Sequence, residues 1–381
     1  MSVFLDREKL SPAYLPKRLL HRETEKNLLM TILRPAVESP AGAGVARVKV
    51  LGGVGAGKTT LCLKVGAELE SAYRQLVHVY VNLRRFAGGR VGVYRYLVRA
   101  VAEELFSQSL SAEELLDNLL IFLRNSSKRL LITFDEADYH VMQNKGKMTV
   151  FYDFTRLHEA SSVRPLNVAG VVFIARDVSF ERFLEKPEAS SLGASVVKLE
   201  PYTKTQMRDI LEDRVAEAFR KGAVSDEVLD YVADLACSPP LSGDVRYALD
   251  VLLFAGNLSE SRGGRHLEID DVRYVVAELG AGLRAEDLVS LSFEEKAVLL
   301  SVAKSLSSTR RVYAGVDDVG KAYGALRDAY GVSVEDFQAC LKSLSIKGFV
   351  ELRGGRQVGL TGVDARRLAE FLEKELVRRN G

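Results

Sequence analysis

The chain has 381 residues, 47% hydrophobic and 27% charged, which is long enough for two or three domains with cores of their own. Its 53 Lys and Arg nearly balance 51 Asp and Glu, so any nucleic-acid surface must be local. No run approaches the roughly 18 uninterrupted apolar residues of a membrane span. The N-terminus lacks a signal-type apolar core, and the scattered Cys62, Cys237 and Cys340 fit neither a zinc site nor a disulfide framework. A cytoplasmic protein is expected.

In chain order, residues 1–27 are polar and irregular and lead into a helix near Glu23 to Leu33. A loop rich in Ala, Gly and Pro, Pro35 to Gly44, separates it from an apolar strand, Val45 to Leu51. Next come GGVGAGKTT, Gly52 to Thr60, and an amphipathic helix, Leu61 to Tyr73. Strand, glycine loop and helix form the context of a phosphate-binding P-loop, and Gly52, Gly57, Lys58 and Thr59 fill every fixed position of G-x-x-x-x-G-K-[ST]. Glycines let successive N–H groups converge on one point, and the helix N-terminus adds partial positive charge there. Lys58 would reach the β- and γ-phosphates and the Thr59 hydroxyl would ligate Mg²⁺. The loop as a whole (Gly52, Gly53, Val54, Gly55, Ala56, Gly57, Lys58, Thr59, Thr60) is expected to bind ATP or ADP.

A second strand spans Leu76 to Leu83, with helices near Val93 to Phe106 and Ser111 to Arg124. The latter opens on a capping box, Ser111 to Glu114. Arg129 to Glu136, RLLITFDE, is an apolar strand ending in two acids, a Walker-B pattern. Asp135 would hold Mg²⁺ through water and Glu136 would polarise the attacking water. Further strands cover Asn167 to Ala175 and Ser195 to Tyr202. Alternating strands and helices imply an α/β fold, a parallel sheet sandwiched by helices with ligand at the strand carboxyl ends.

From Thr203 the strand signal stops. Helices at 203–222, Ser225 to Cys237, Ser242 to Phe254 and Ile269 to Leu279 make a small helical domain, and Gly280 to Gly282 marks its boundary. A capping box at Ser292 to Glu295 begins the last unit, whose second helix runs from Asp317 to Tyr330 and ends at Gly331. A third helix starts at Ser333 with Asp336 in its first turn and runs to Lys347, followed by a hairpin (FVELR, Gly354-Gly355, RQVGL) and a helix from Asp364 to Arg379. This is the order of a winged helix-turn-helix. The expected domains are 1–202, a nucleotide-binding base, 203–282, a helical lid, and 288–381, a winged helix.

In the third helix Val334, Phe337, Leu341 and Leu344 share a face and should pack inward, leaving Gln338, Lys342 and Ser345 on another. These three are candidates for base edges and phosphates in a major groove, with an ordinary solvated face as the plain alternative. Around a two-residue primed turn at Gly354-Gly355, Arg353 and Arg356 would stand opposite each other. Like charges there disfavour folding, and an anionic partner such as a minor groove would relieve them. A solvated hairpin tip is the alternative. Residues 290–381 carry 15 Lys/Arg against 12 Asp/Glu, so DNA binding by this unit alone should be modest.

The lid segment SGDVRYALD, Ser242 to Asp250, resembles the Gly-Asp-x-Arg helix of archaeal DNA replication initiators, relatives of the origin recognition complex and its cell-division-cycle partner. LLHRE, ending at Glu23, resembles that family's adenine-side box, and SSLG (Ser190 to Gly193) and EPYTKTQMRDIL (Glu200 to Leu211) resemble further family segments. The resemblance spans essentially the whole chain. It implies an AAA+ ATPase with helical lid and C-terminal winged helix, slow in hydrolysis. Its partners would be double-stranded origin DNA, the replicative helicase and other initiator copies, in a nucleoid-associated setting. It implies that His21, Arg22 and Tyr202 join the nucleotide site and that Arg246 is the lid arginine that senses the γ-phosphate. An initiator-specific helix touching DNA would lie between Phe86 and Arg124.

Two departures from the family stand out. Arg176 occupies the polar-sensor place at the end of the fourth strand, usually asparagine, and Pro187, Glu188 and Ala189 replace basic residues before SSLG. An arginine finger is thus absent from its usual place, and such fingers are worth about 10³ to 10⁵ in rate. The site should act as a slow switch. Two other readings compete with an origin-binding initiator. One is a regulatory signalling ATPase whose winged helix contacts proteins. The other is a clamp loader or DNA translocase, which needs brisk DNA-stimulated turnover.

Overall fold

Five apolar runs pair as one parallel sheet: β1 (Ala46–Gly52), β2 (Leu76–Asn82), β3 (Arg129–Asp135), β4 (Val168–Ala175) and β5 (Val196–Leu199), in the spatial order β2-β3-β4-β1-β5. Helices cover both faces of such a sheet, which is why β3 and β4 are buried at every residue and read as unbroken apolar runs. The helices are α1 (Glu23–Glu38), α2 (Lys58–Ala72), α3 (Arg90–Val101), α4 (Ala112–Asn125), α5 (Ala137–Gln143), α6 (Val150–Thr155), α7 (Leu157–Ala160) and α8 (Lys186–Ser191). The structure is a computed structural model that describes residues 2–39, 44–86, 89–144, 149–184, 186–239, 241–278, 288, 291–309, 311–330, 337–361 and 365–377.

Leu15–Gln206 and Ser242–Val245 form one compact unit, the nucleotide unit. One side of its sheet carries an aromatic core in which the rings of Phe151 and Phe173 stack 4.6 Å apart. The other side packs Leu33 and Val37 of α1 and Leu61 and Val65 of α2 on Val48, Val50, Val172 and Ile174. Ser111 and Glu114 close the expected capping box of α4. Two sequence expectations are corrected. The loop from Pro35 begins later, because α1 runs through Pro35 to Glu38; the proline falls in its last turn, where Val37 is still buried. The helix near 93–106 stops at Val101, with a 3₁₀ turn at Glu103–Leu105. The segment between β3 and β4 contains three short helices, α5 to α7, that no periodicity announced.

Met1–Tyr14, Met207–Leu241 and Arg246–Gly381 form the second unit. Its elements are α9 (Lys204–Ala218), α10 (Asp226–Cys237), α11 (Val245–Ser261), α12 (Ile269–Glu278), α13 (Phe293–Thr309), β6 (Tyr313–Gly315), α14 (Val316–Tyr330), α15 (Phe337–Ile346), β7 (Val350–Arg353), β8 (Gln357–Leu360) and α16 (Ala365–Val377). The helices α9 and α13 open on reciprocal caps, Thr203 with Gln206 and Ser292 with Glu295. The wing is an antiparallel sheet in the order β6-β8-β7, whose first strand is too short for the sequence to declare. Arg273, fully buried in α12, donates to Asp270 and to the carbonyls of Arg311 and Val312, tying the lid helices to the winged helix. Residues 1–14, assigned to the base from sequence, belong to this unit. The amides of Leu5 and Asp6 donate to the Ala218 carbonyl and Phe4 packs on Phe219 at 4.7 Å. The Gly280–Gly282 boundary, Gly331, the Ser333 cap, Val334, Asp336, Asp364 and Arg379 lie outside the described residues.

Candidate nucleotide site and nucleic-acid interface

The P-loop bridges β1 and α2 at the carboxyl edge of the sheet. Gly57, at φ +90°, caps α2 in the left-handed region, and a Cβ there would lie 2.9 Å from the Tyr202 hydroxyl. Gly55, at φ +68°, faces Asp244, which a Cβ would overlap. The lid turn Ser242–Val245 therefore packs directly on the loop. The Lys58 ammonium donates to the carbonyls of Gly52 and Gly53, both at 2.7 Å, and so lies folded over the loop's mouth.

The Walker-B acid comes to the same place. Asp135, 7% exposed, accepts from the Thr59 hydroxyl at 2.7 Å across 76 positions of sequence. The same oxygen, Oδ2, accepts from the Tyr80 hydroxyl at 2.8 Å, and Oδ1 accepts from the Glu136 amide at 2.8 Å. Glu136 sits at φ +57°, a conformation that costs a non-glycine residue about 1–3 kcal/mol, and half-buried where the sheet ends. Among the described residues no group of three or more His, Cys, Asp or Glu could hold a metal alone. The hard oxygens of Thr59 and Asp135 suit Mg²⁺, which takes its remaining ligands from phosphates and water. Burial, then the Asp135 charge, pushes the nearby Cys62 thiol well up, so it stays protonated and inert.

Of the residues carried over by resemblance, Arg22 and Tyr202 meet. The Arg22 guanidinium, 3% exposed, lies 3.9 Å over the Tyr202 ring and donates to the carbonyls of Ala56 (3.2 Å) and Glu200 (2.6 Å). It thus ties the P-loop to the segment that follows β5. Burial raises the Tyr202 phenol above its ordinary value. His21, at φ +59°, makes the bend that presents Arg22. Arg246 stands exposed in the first turn of α11. Tyr80 escaped the sequence reading. The available signal was polar His78, Tyr80 and Asn82 at alternate positions of the second strand.

The two departures have structural counterparts. Strand order puts β4 between β3 and β1, so Arg176 follows the central strand, and its carbonyl accepts from the Gly52 amide at 3.1 Å. Its side chain is 63% exposed and lies 3.8 Å from Asp138. Glu188 is buried and accepts from Thr149 at 3.1 Å, so its carboxylate is turned inward.

The wing corrects the sequence reading. Arg353 pairs with Gln357, not Arg356, across β7 and β8. Gly354 and Gly355 do have positive φ and the Arg356 amide does close the turn on the Arg353 carbonyl. The Arg356 carbonyl, however, accepts from Val316 at 2.9 Å, which holds Arg356 out of the ladder and starts β8 one residue later. Arg353 is ion-paired to Asp234 of α10 and to Glu351 (3.0 Å), and lies 4.1 Å over the Tyr313 ring. Its charge is already answered within the protein, so the mutual repulsion expected of the two arginines does not arise. Arg356, Gly354 and Gly355 are exposed. On α15, Leu341 and Leu344 are buried, Gln338 and Lys342 exposed and Ser345 half-exposed, as the helical period predicts. The exposed face also carries Ile346, 80% exposed, which sequence periodicity passed over.

Comparisons with known proteins agree with this arrangement. A family model for the Cdc6 AAA+ ATPase-type lid domain matches residues 208–277, and one for an AAA domain matches residues 46–184. ORC1-type DNA replication protein 1 of Sulfolobus acidocaldarius is 30% identical, over 82% of this chain and 76% of its own. The crystal structure of Cdc6p from Pyrobaculum aerophilum superposes with a TM-score of 0.84 at 26% identity, covering 99% of this chain and 100% of that one. The Aeropyrum pernix ORC1 protein in complex with DNA does so with a TM-score of 0.60 at 27% identity, covering 99% of each chain.

Proposed function

The chain belongs to the family of ORC1-type DNA replication proteins, AAA+ ATPases, and on that footing we propose an origin-binding initiator whose ATP or ADP state sets its grip on duplex DNA. The observation that carries the nucleotide half is the Thr59–Asp135 hydrogen bond, which joins the P-loop to the Walker-B acid. Mg²⁺, when held there, would supply Lewis-acid charge beside the phosphates. Lys58 would exchange its two loop carbonyls for phosphate oxygens, and Glu136 would take the proton of the attacking water. His21, Arg22 and Tyr202 would shape the base side, and Arg246 would couple the γ-phosphate to the lid. An inward Glu188 and an arginine at 176 favour slow turnover that assembly does not accelerate.

The DNA half uses the exposed face of α15 (Gln338, Lys342, Ser345) and the wing tip (Gly354, Gly355, Arg356), with Arg353 engaged once it leaves Asp234. The DNA complex of the Aeropyrum pernix relative supports DNA as the ligand. Base (1–202), lid (203–282) and winged helix (288–381) are the working domains of this reading. Other initiator copies and the replicative helicase are its protein partners. Labelled origin and random duplexes titrated over a salt series, with ATP and with ADP, test it. A preference of about tenfold for origin DNA supports the proposal, and equal weak binding of all duplexes overturns it. The signalling-ATPase reading has one observation on its side, the internal pairing of Arg353. It gains if alanine at both wing arginines leaves DNA affinity unchanged.

A further inference from the structure

We propose that Tyr80 is a positioning residue of the ATPase site, its hydroxyl holding the Asp135 carboxylate in the orientation that serves Mg²⁺ together with Thr59. In the β2–β3 register Tyr80 is level with Thr133 and Asn82 with Asp135. Asp135 therefore lies one step along the same face from Tyr80, a diagonal of about 7–8 Å that only a long side chain spans. Tyr80 spans it, reaching Oδ2 at 2.8 Å. The preceding pair repeats the diagonal: His78 Nε2 lies 3.0 Å from the Thr133 hydroxyl. Gly66 of α2 leaves room for that imidazole, which a Cβ would overlap. This polar line on a parallel strand runs toward Asp135.

The carboxylate is oriented by three donors. Oδ1 takes the Glu136 amide, while Oδ2 takes the hydroxyls of Thr59 and Tyr80. Thr59 is the donor that a metal would engage. Without Tyr80, the orientation of Oδ2 would rest on that one partner. Removing an outer group that orients a ligating carboxylate typically costs about 10–100-fold in metal affinity. The ring contributes packing and the hydroxyl contributes the orientation, so phenylalanine separates the two. The inference rests on the reading of Thr59 and Asp135 as the Mg²⁺ residues.

The full chain, Tyr80→Phe, Thr59→Ala and Thr133→Val are titrated with ATP in Mg²⁺ and in EDTA, and with Mn²⁺ by electron paramagnetic resonance in the presence of ADP. Tyr80→Phe should weaken nucleotide binding in Mg²⁺ about tenfold, weaken Mn²⁺ binding in parallel, and leave binding in EDTA and the thermal midpoint unchanged. Thr133→Val, which breaks only the neighbouring diagonal, should match the unaltered chain. No change in Mg²⁺ for Tyr80→Phe overturns the proposal, as does an equal loss in Mg²⁺ and EDTA, which is a packing effect. If Thr59→Ala loses Mg²⁺ dependence while Tyr80→Phe keeps it, only the role of Tyr80 falls. If Thr59→Ala keeps it too, the Mg²⁺ reading itself has failed.

Discussion

The P-loop and the wing tip are both glycine turns flanked by cations, yet only in the first does the local geometry follow the motif's pattern. In the P-loop, backbone geometry does the arranging. Left-handed Gly57 and Gly55 and the start of α2 aim the loop, and Lys58 donates to two of the loop's own carbonyls. In the wing the turn also forms, but the long Arg353 side chain finds a carboxylate 119 positions away in sequence. A motif whose chemistry resides in the main chain survives folding unchanged. One whose chemistry lies at the end of a flexible side chain depends on what packs beside it.

Substitutions can break this contrast. The largest effect is expected from Glu136→Gln, which should keep ATP affinity and lower single-turnover hydrolysis by about 10² or more; retained hydrolysis would remove the general-base assignment. Lys58→Ala should weaken ATP binding by about 100-fold in calorimetry while nucleotide-free duplex binding persists. A loss of only about threefold would mean that the loop amides carry the phosphates without it.

Acidification should separate the two units. Burial lowers His78 and His140, both in the nucleotide unit, to about 4 from an ordinary 6.5. The unfolded chain therefore takes up these protons first as pH falls. Their contribution is intact above about pH 6.5, drops by about 1.4 kcal/mol per pH unit per histidine below it, and levels off near pH 4. Hydrogen exchange should show amides of the nucleotide unit losing protection in that window before those of the winged helix. Simultaneous loss would assign the acid sensitivity elsewhere.

The smallest effects sharpen the wing. Arg356→Ala should reduce the salt slope of duplex binding by about one. Asp234→Asn should tighten duplex binding a fewfold by releasing Arg353, and adding Arg353→Ala should cancel that gain. If Asp234→Asn leaves affinity unaltered, Arg353 is a structural strut between lid and wing.

Much of the nucleotide unit was legible because its signals are local. Apolar runs bounded by turns became strands, and the capping boxes at Ser111, Thr203 and Ser292 opened helices where they stood. Less legible were α5 to α7 and β6, which are too short for a period to accumulate. Tyr80 was invisible as a site residue because its partner is defined by the register of β2 on β3.

By itself the sequence determined the ATPase family and the fold class, since the strand, glycine loop and helix of the P-loop and the helix caps are set by backbone geometry within a few residues. Only the tertiary structure decided that Arg22 meets the Ala56 carbonyl of the loop, that Tyr80 donates to Asp135, and that Arg353 pairs with Asp234. Those contacts join side chains distant in sequence, and no local preference encodes which charge a long side chain will meet.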